Sequence, residues 1–86
     1  MSDYVYPAII YPDKEGRGFT ISLPDVGIVT EGVTVEEAFL RAKDFLINYV
    51  EVCSVLETDV DKATSFVDTA KKNPKHIIIL VDAPAE

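Results

Sequence analysis

The sequence predicts an α+β domain: one mixed sheet covered by a long helix, in the order β-β-β-α-(α)-β. Three observations carry this. Residues 4–11 are rich in Tyr, Val and Ile and contain no charge, and residues 19–23 alternate apolar and polar. From Val35 to Cys53, apolar residues fall at 35, 38, 39, 42, 46, 49, 50 and 53, the stripe of an amphipathic helix. Near the end, Ile77-Ile78-Ile79-Leu80-Val81 is an unbroken run, mostly β-branched.

The first strand, Tyr4 to Tyr11, reads as covered on both faces, because no side chain in it needs water. Pro7 lies inside it and cannot donate to a ladder, so its N–H side is expected at an edge, a bulge or the strand's start. Pro12 to Gly18 supplies turn residues, with Pro-Asp and two glycines. Phe19, Ile21 and Leu23 then share one face of a second strand, opposite Thr20 and Ser22, and the pair forms a hairpin. Pro24-Asp25 ends it, Gly27 to Thr30 is a short third strand, and Glu31-Gly32 turns into a helix.

That helix runs from Thr34 to about Leu56. The Thr34 hydroxyl can accept an N–H three residues on, and Glu37 is spaced to return a bond to the Thr34 N–H, completing a capping box. Residues 57–61 are acidic and irregular. Asp61 to Lys72 is a candidate short helix with Ala63, Phe66, Val67 and Ala70 on one side and Asn73-Pro74 as its stop. The run 77–81 reads as a strand buried on both faces, returning parallel to the first by a right-handed crossover and placing both in the middle of the sheet. Asp82 to Glu86 is a short tail. Nothing in the pattern marks a repeat, a linker or a second domain, so residues 1–86 read as a single domain.

Fifteen acidic residues against eight basic ones give a net charge of −7, which disfavours unaided nucleic-acid binding and favours a basic partner or simple solubility. The single cysteine, Cys53, sits on the helix stripe and reads as a buried reduced thiol. No run reaches the roughly 20 apolar residues of a membrane span, and Met1-Ser2-Asp3 has no signal-peptide character, so a cytoplasmic location is expected.

Ordered motifs add a resemblance. Tyr6-Pro7-Ala8-Ile9-Ile10, Gly18-Phe19-Thr20-Ile21-Ser22-Leu23-Pro24-Asp25 and Thr30-Glu31-Gly32-Val33-Thr34-Val35-Glu36-Glu37-Ala38, with Ala42 and Tyr49 following, resemble the HicB antitoxin family over about residues 4–52. The resemblance implies a partial RNase H-like fold. It also implies a non-catalytic antitoxin that binds and neutralises HicA, a small basic mRNA-cleaving toxin, a partner that suits the acidic balance. Two departures stand out. The loop after Pro24-Asp25 is Val26-Gly27-Ile28, a residue shorter than the family's usual Leu-Pro-Gly-Cys, and Asp82–Glu86 leaves no room for the family's C-terminal DNA-binding region. Direct DNA binding is therefore not expected. The alternative reading is an oligomeric HicB-like domain with a structural or ligand-binding role and no toxin partner.

Catalytic readings are weaker. A metal nuclease on an RNase H-like sheet needs a carboxylate inside the first strand, and residues 4–11 have none. Asp13, Asp44 and Asp82 can be imagined as a cluster, but Asp13 falls in a turn and Asp44 opposite the helix stripe. His76, the single histidine, has no nucleophile near it in sequence and reads as a surface side chain. No catalytic residue, metal or cofactor is expected.

Two groups of candidate binding residues follow. Asp25, Glu31, Glu36 and Glu37 surround the third-strand loop and the helix start, where they could meet a toxin's Lys and Arg side chains or serve only in capping and solvation. Leu40 and Ile47 are seven apart on one flank of the helix stripe, and Phe45 and Val52 are seven apart on the other. They need cover from the second short helix or from another copy of the chain, so a homodimer or higher oligomer is expected.

Overall fold

The computed structural model describes residues 4–84. The N-terminal Met1-Ser2-Asp3 and the last two residues of the expected tail lie outside them. The elements are β1 (Tyr4–Pro12), β2 (Phe19–Leu23), β3 (Ile28–Gly32), α1 (Val35–Val55), α2 (Phe66–Lys72) and β4 (Ile77–Ala83). The four strands form one sheet in the order β3-β2-β1-β4.

The sheet is antiparallel throughout, which corrects the expected mixed sheet. β1 pairs antiparallel with β4 from Tyr4↔Ala83 to Ile10↔Ile77, as it does with β2 and as β2 does with β3. The cause is the number of traversals between β3 and β4. A single crossover helix would return the chain parallel to β1. Here α1 carries the chain about 31 Å along the sheet at 1.5 Å per residue, and residues 57–65 turn at that end. α2 then carries the chain back, so β4 starts beside the end of β1.

A second correction follows from the same order. β4 is an edge strand rather than a central one, and the run 77–81 is not buried on both faces: Val81 and Ala83 are buried, while Ile77 is 63% and Leu80 49% exposed. An apolar run alone cannot separate a central strand from an edge strand, because both satisfy the same propensity.

One face of the sheet presents Tyr6, Ala8, Ile10, Ile21, Leu23, Val81 and Ala83 to Ala38, Ala42, Leu46 and Val50 of α1. Ala38 and Ala42 lack bulk, so the helix axis can approach the strands closely; Leu46 fills the space between and is fully buried. Pro7 and Ile9 alternate to the other face and are buried too, where α2 lies against β4 and β1. Pro7 sits in the part of β1 that pairs with β4 alone, since pairing with β2 begins at Ile9. A central strand therefore tolerates proline because that portion has one unpaired side.

Both ends of α1 are built locally. Thr34 is extended and its Oγ1 accepts from the Glu37 N–H at 3.1 Å. The return bond differs from expectation: Glu37 Oε1 accepts from the Val33 N–H at 2.9 Å, one residue before the cap. At the far end Glu57 adopts φ 55, Glu57 N–H donates to Ser54 O and Thr58 N–H to Cys53 O. This is a Schellman stop with a glutamate at the left-handed position where glycine is usual. α2 is shorter than the expected 61–72 helix, beginning after the Ser65 cap.

Candidate interaction surface

Two glycines set the geometry at the start of α1. A Cβ on Gly32 would lie 2.5 Å from the Ala38 backbone nitrogen, and one on Gly18 would lie 2.6 Å from Gly32 O. Gly18 also has φ 149. The end of β3, the start of β2 and the first turn of α1 thus meet backbone to backbone, and side chains are pushed outward around them.

Of the four acidic candidates, the structure brings three together and separates the fourth. Glu31 is exposed at the end of β3, and Glu36 and Glu37 lie in the first turn of α1. Glu31 and Glu37, but not Glu36, line a shallow groove of about 370 Å³ whose other charged lining is Asp13, Arg17 and Arg41. Arg41 was not among the sequence candidates. Its Nη1 donates to Glu31 O at 3.0 Å and its Nη2 lies 3.8 Å from Glu37 Oε1. Arg17 pairs with Asp13 and Glu15 on the groove's other rim. These exposed pairs contribute little stability, but they make the groove mixed in charge rather than uniformly acidic. Glu36 and the Glu31 carboxylate are the acidic groups there that form no ion pair among the described residues.

Asp25 lies in the β2–β3 turn, at the opposite end of β3. Its carboxylate accepts from Thr64 N–H at 2.8 Å and from Thr64 Oγ1 at 2.7 Å. It is a clasp for the segment between the helices. Asp61, in the same segment, is the residue that sequence reasoning missed. Tyr6 Oη donates to Asp61 O, Tyr49 Oη donates to Asp61 Oδ2 at 2.9 Å, and Asp61 N–H donates to Tyr49 Oη at 2.8 Å. Burial pushes the Tyr49 phenol up to about 12; the Asp61 N–H works against that rise and the Asp61 carboxylate adds to it. Tyr6 is raised in the same direction, first by burial and then by the Asp61 charge. No spacing in the sequence signals these bonds, because the partners are 12 and 55 residues apart.

The apolar candidates divide as well. Leu40, Phe45 and Val52 are each about half exposed, whereas Ile47 packs partly against the core. α2 does not supply their cover; it packs against β4 and β1. Cys53 is buried and reduced. His76 is exposed, its ring edge-on to Tyr11 with centroids 4.6 Å apart. Asp13 and Asp82 lie at opposite ends of β1, and Asp82 holds Lys43 Nζ at 3.1 Å. Among the described residues no three His, Cys, Asp or Glu side chains converge as metal ligands, and no helix is long and apolar enough to cross a membrane.

This arrangement of sheet and helices has solved counterparts. The N-terminal domain of the Burkholderia pseudomallei antitoxin HicB matches with a TM-score of 0.78 at 23% identity, covering 93% of this chain and 98% of that one. The fold is that of the HicB N-terminal domain. A structure of the Burkholderia pseudomallei antitoxin HicB matches at a TM-score of 0.75 and 22% identity over 96% of this chain, which spans 64% of that HicB. No family model matches the sequence, and neither does any curated protein. In this chain Gly18 and Gly32 allow the close approach of α1 to β3, and Thr34 caps the helix start.

Proposed function

We propose that this chain is a non-catalytic antitoxin-like protein that binds and neutralises a small basic HicA-type mRNA-cleaving toxin in the cytoplasm. The observation that carries this reading is the likeness to the HicB N-terminal domain over nearly the whole chain. The net charge of −7 supports it, since opposite charge steers a cationic partner into encounter. The contact we assign lies at the α1 start: Glu31, Glu36 and Glu37, with the Arg17 and Arg41 groove beside them accepting a carboxylate or backbone carbonyl. Asp25 is omitted because Thr64 already occupies its carboxylate.

Co-expression with the product of the adjacent reading frame tests this. The expected result is a small basic protein that arrests growth alone, is silenced by this chain and co-purifies with it in a salt-sensitive complex. A neighbour that is neither basic nor retained by this chain sinks the proposal. The half-exposed Leu40, Phe45 and Val52 favour the second reading, an oligomeric HicB-like domain with a structural or ligand-binding role. Self-association without any toxin capture would select it.

A further inference from the structure

The C-terminal half of α1 and its cap carry apolar side chains that stand in solvent. Val55 is 80% and Leu56 67% exposed, and Val52 and, two turns earlier, Phe45 are about half exposed. At about 100° per residue, Phe45, Val52 and Leu56 fall within roughly 40° of one line along the helix, and Val55 stands beside it. α2 packs against β4 and β1 and leaves this line open.

The rim of the line is acidic. Glu51, Glu57 and Asp59 are exposed, and none of them forms an ion pair among the described residues. The last turn of α1 holds no basic residue, so no side chain offsets the negative end of the helix dipole there. Lys62 is the single basic residue between Lys43 and Lys71.

An apolar centre inside an acidic rim selects its occupant by charge. A second copy packed two-fold on this line would set Glu51, Glu57 and Asp59 against like charges, and the same rim repels a nucleic acid or an anionic bilayer. A straight apolar line about 16 Å long on one helix is matched by the ridge of another helix. We propose that the C-terminal half of α1 docks a cationic amphipathic helix of a partner protein. The apolar face of that helix seats on Phe45, Val52, Val55 and Leu56, and its Lys and Arg side chains reach Glu51, Glu57 and Asp59. Val55 lies about 27 Å along the helix axis from Glu37, so occupancy of this end is independent of a toxin's contact at the α1 start.

The test uses the full chain and three synthetic peptides of 18 residues. One is built of leucine and lysine with the leucines on a single helical face, one has glutamate in place of lysine, and one has the leucine–lysine composition scrambled. Titration calorimetry is expected to show the first binding at least tenfold more tightly than the other two. Amide shifts on binding are expected to centre on residues 45–59 and to spare residues 34–38. Val52→Ser with Leu56→Ser is expected to weaken binding about tenfold or more, since truncating central apolar anchors removes most of an interface's affinity. Val55→Ser, at the most exposed of these positions, is expected to weaken it about threefold with the melting temperature unchanged. Glu51→Gln with Asp59→Asn is expected to weaken it several-fold at low salt, an effect that fades as salt is raised. Glu36→Gln, at the other end of α1, is expected to leave it unchanged. A scrambled peptide that binds as tightly as the patterned one overturns the proposal, as does the absence of binding. So does binding that Glu36→Gln weakens while Val55→Ser and the Val52, Leu56 pair leave it intact.

Discussion

Tyr49 and Asp61 hold each other through two hydrogen bonds of opposite sense. The phenol donates to the carboxylate at 2.9 Å and accepts from the backbone N–H at 2.8 Å. One bond ties the side chain of Asp61 to α1, and the other ties its backbone. The irregular segment between the helices is thereby fixed, although it buries little apolar surface of its own. Tyr49→Phe removes both bonds and is expected to cost about 1–3 kcal/mol in denaturant unfolding, with faster amide exchange in residues 58–64.

The same pair predicts an alkaline limb. The folded protein keeps the Tyr49 proton to about pH 12, while the unfolded chain releases it near 10. Stability from this group is therefore complete below pH 10 and is lost as the pH climbs through that window. The readout is the difference between wild type and Tyr49→Phe, which isolates this group. The wild-type stability is expected to fall more steeply between pH 10 and 12, and parallel curves would refute the assignment.

Asp25 and Glu36 are both acidic, but their substitutions are expected to separate. Asp25→Ala releases Thr64 N–H and Oγ1 and is expected to lower unfolding free energy by about 1–2 kcal/mol. Glu36→Gln, on an exposed first-turn position, is expected to change stability by no more than about 0.5 kcal/mol. Any weakening of a cationic partner's association by Glu36→Gln should fade as salt is raised.

Gly32→Ala forces a Cβ to within 2.5 Å of the Ala38 nitrogen and 3.0 Å of its Cα, both backbone atoms that cannot swing away. A loss of about 2 kcal/mol or more is expected in thermal or denaturant unfolding, because α1 must lift from the end of β3. An unchanged midpoint would mean that the helix start is not packed as described.

Glu57→Gly is expected to do the reverse. Glu57 occupies φ 55 in the Schellman stop, where a Cβ is unfavourable and glycine is not. A gain of about 0.5–1 kcal/mol is expected, reduced by glycine's greater entropy in the unfolded chain.

Much of this fold was legible because its causes are local. The apolar spacing from Val35 to Cys53 and the Thr34 hydroxyl define a helix and its start without reference to the rest of the chain, and α1 forms there. The alternation from Phe19 to Leu23 likewise assigns one face to the core, and Ile21 and Leu23 are fully buried. The motif glycines could be seen in the sequence, but their reason could not. Gly18 and Gly32 are required by backbones that meet only after three elements pack.

The sequence by itself determined the elements, the helix face that is buried and the acidic balance, since propensity, periodicity and charge are properties of neighbours along the chain. Tertiary structure alone decided that β4 runs antiparallel at an edge, because its direction depends on how many times the chain crosses the sheet between β3 and β4. It also decided that Asp25 and Asp61 anchor a loop while Glu31 and Glu37 share a groove with Arg41. A carboxylate looks the same in sequence whether it ends up against a hydroxyl 39 residues away or against water, and only the packed chain brings the hydroxyl to it.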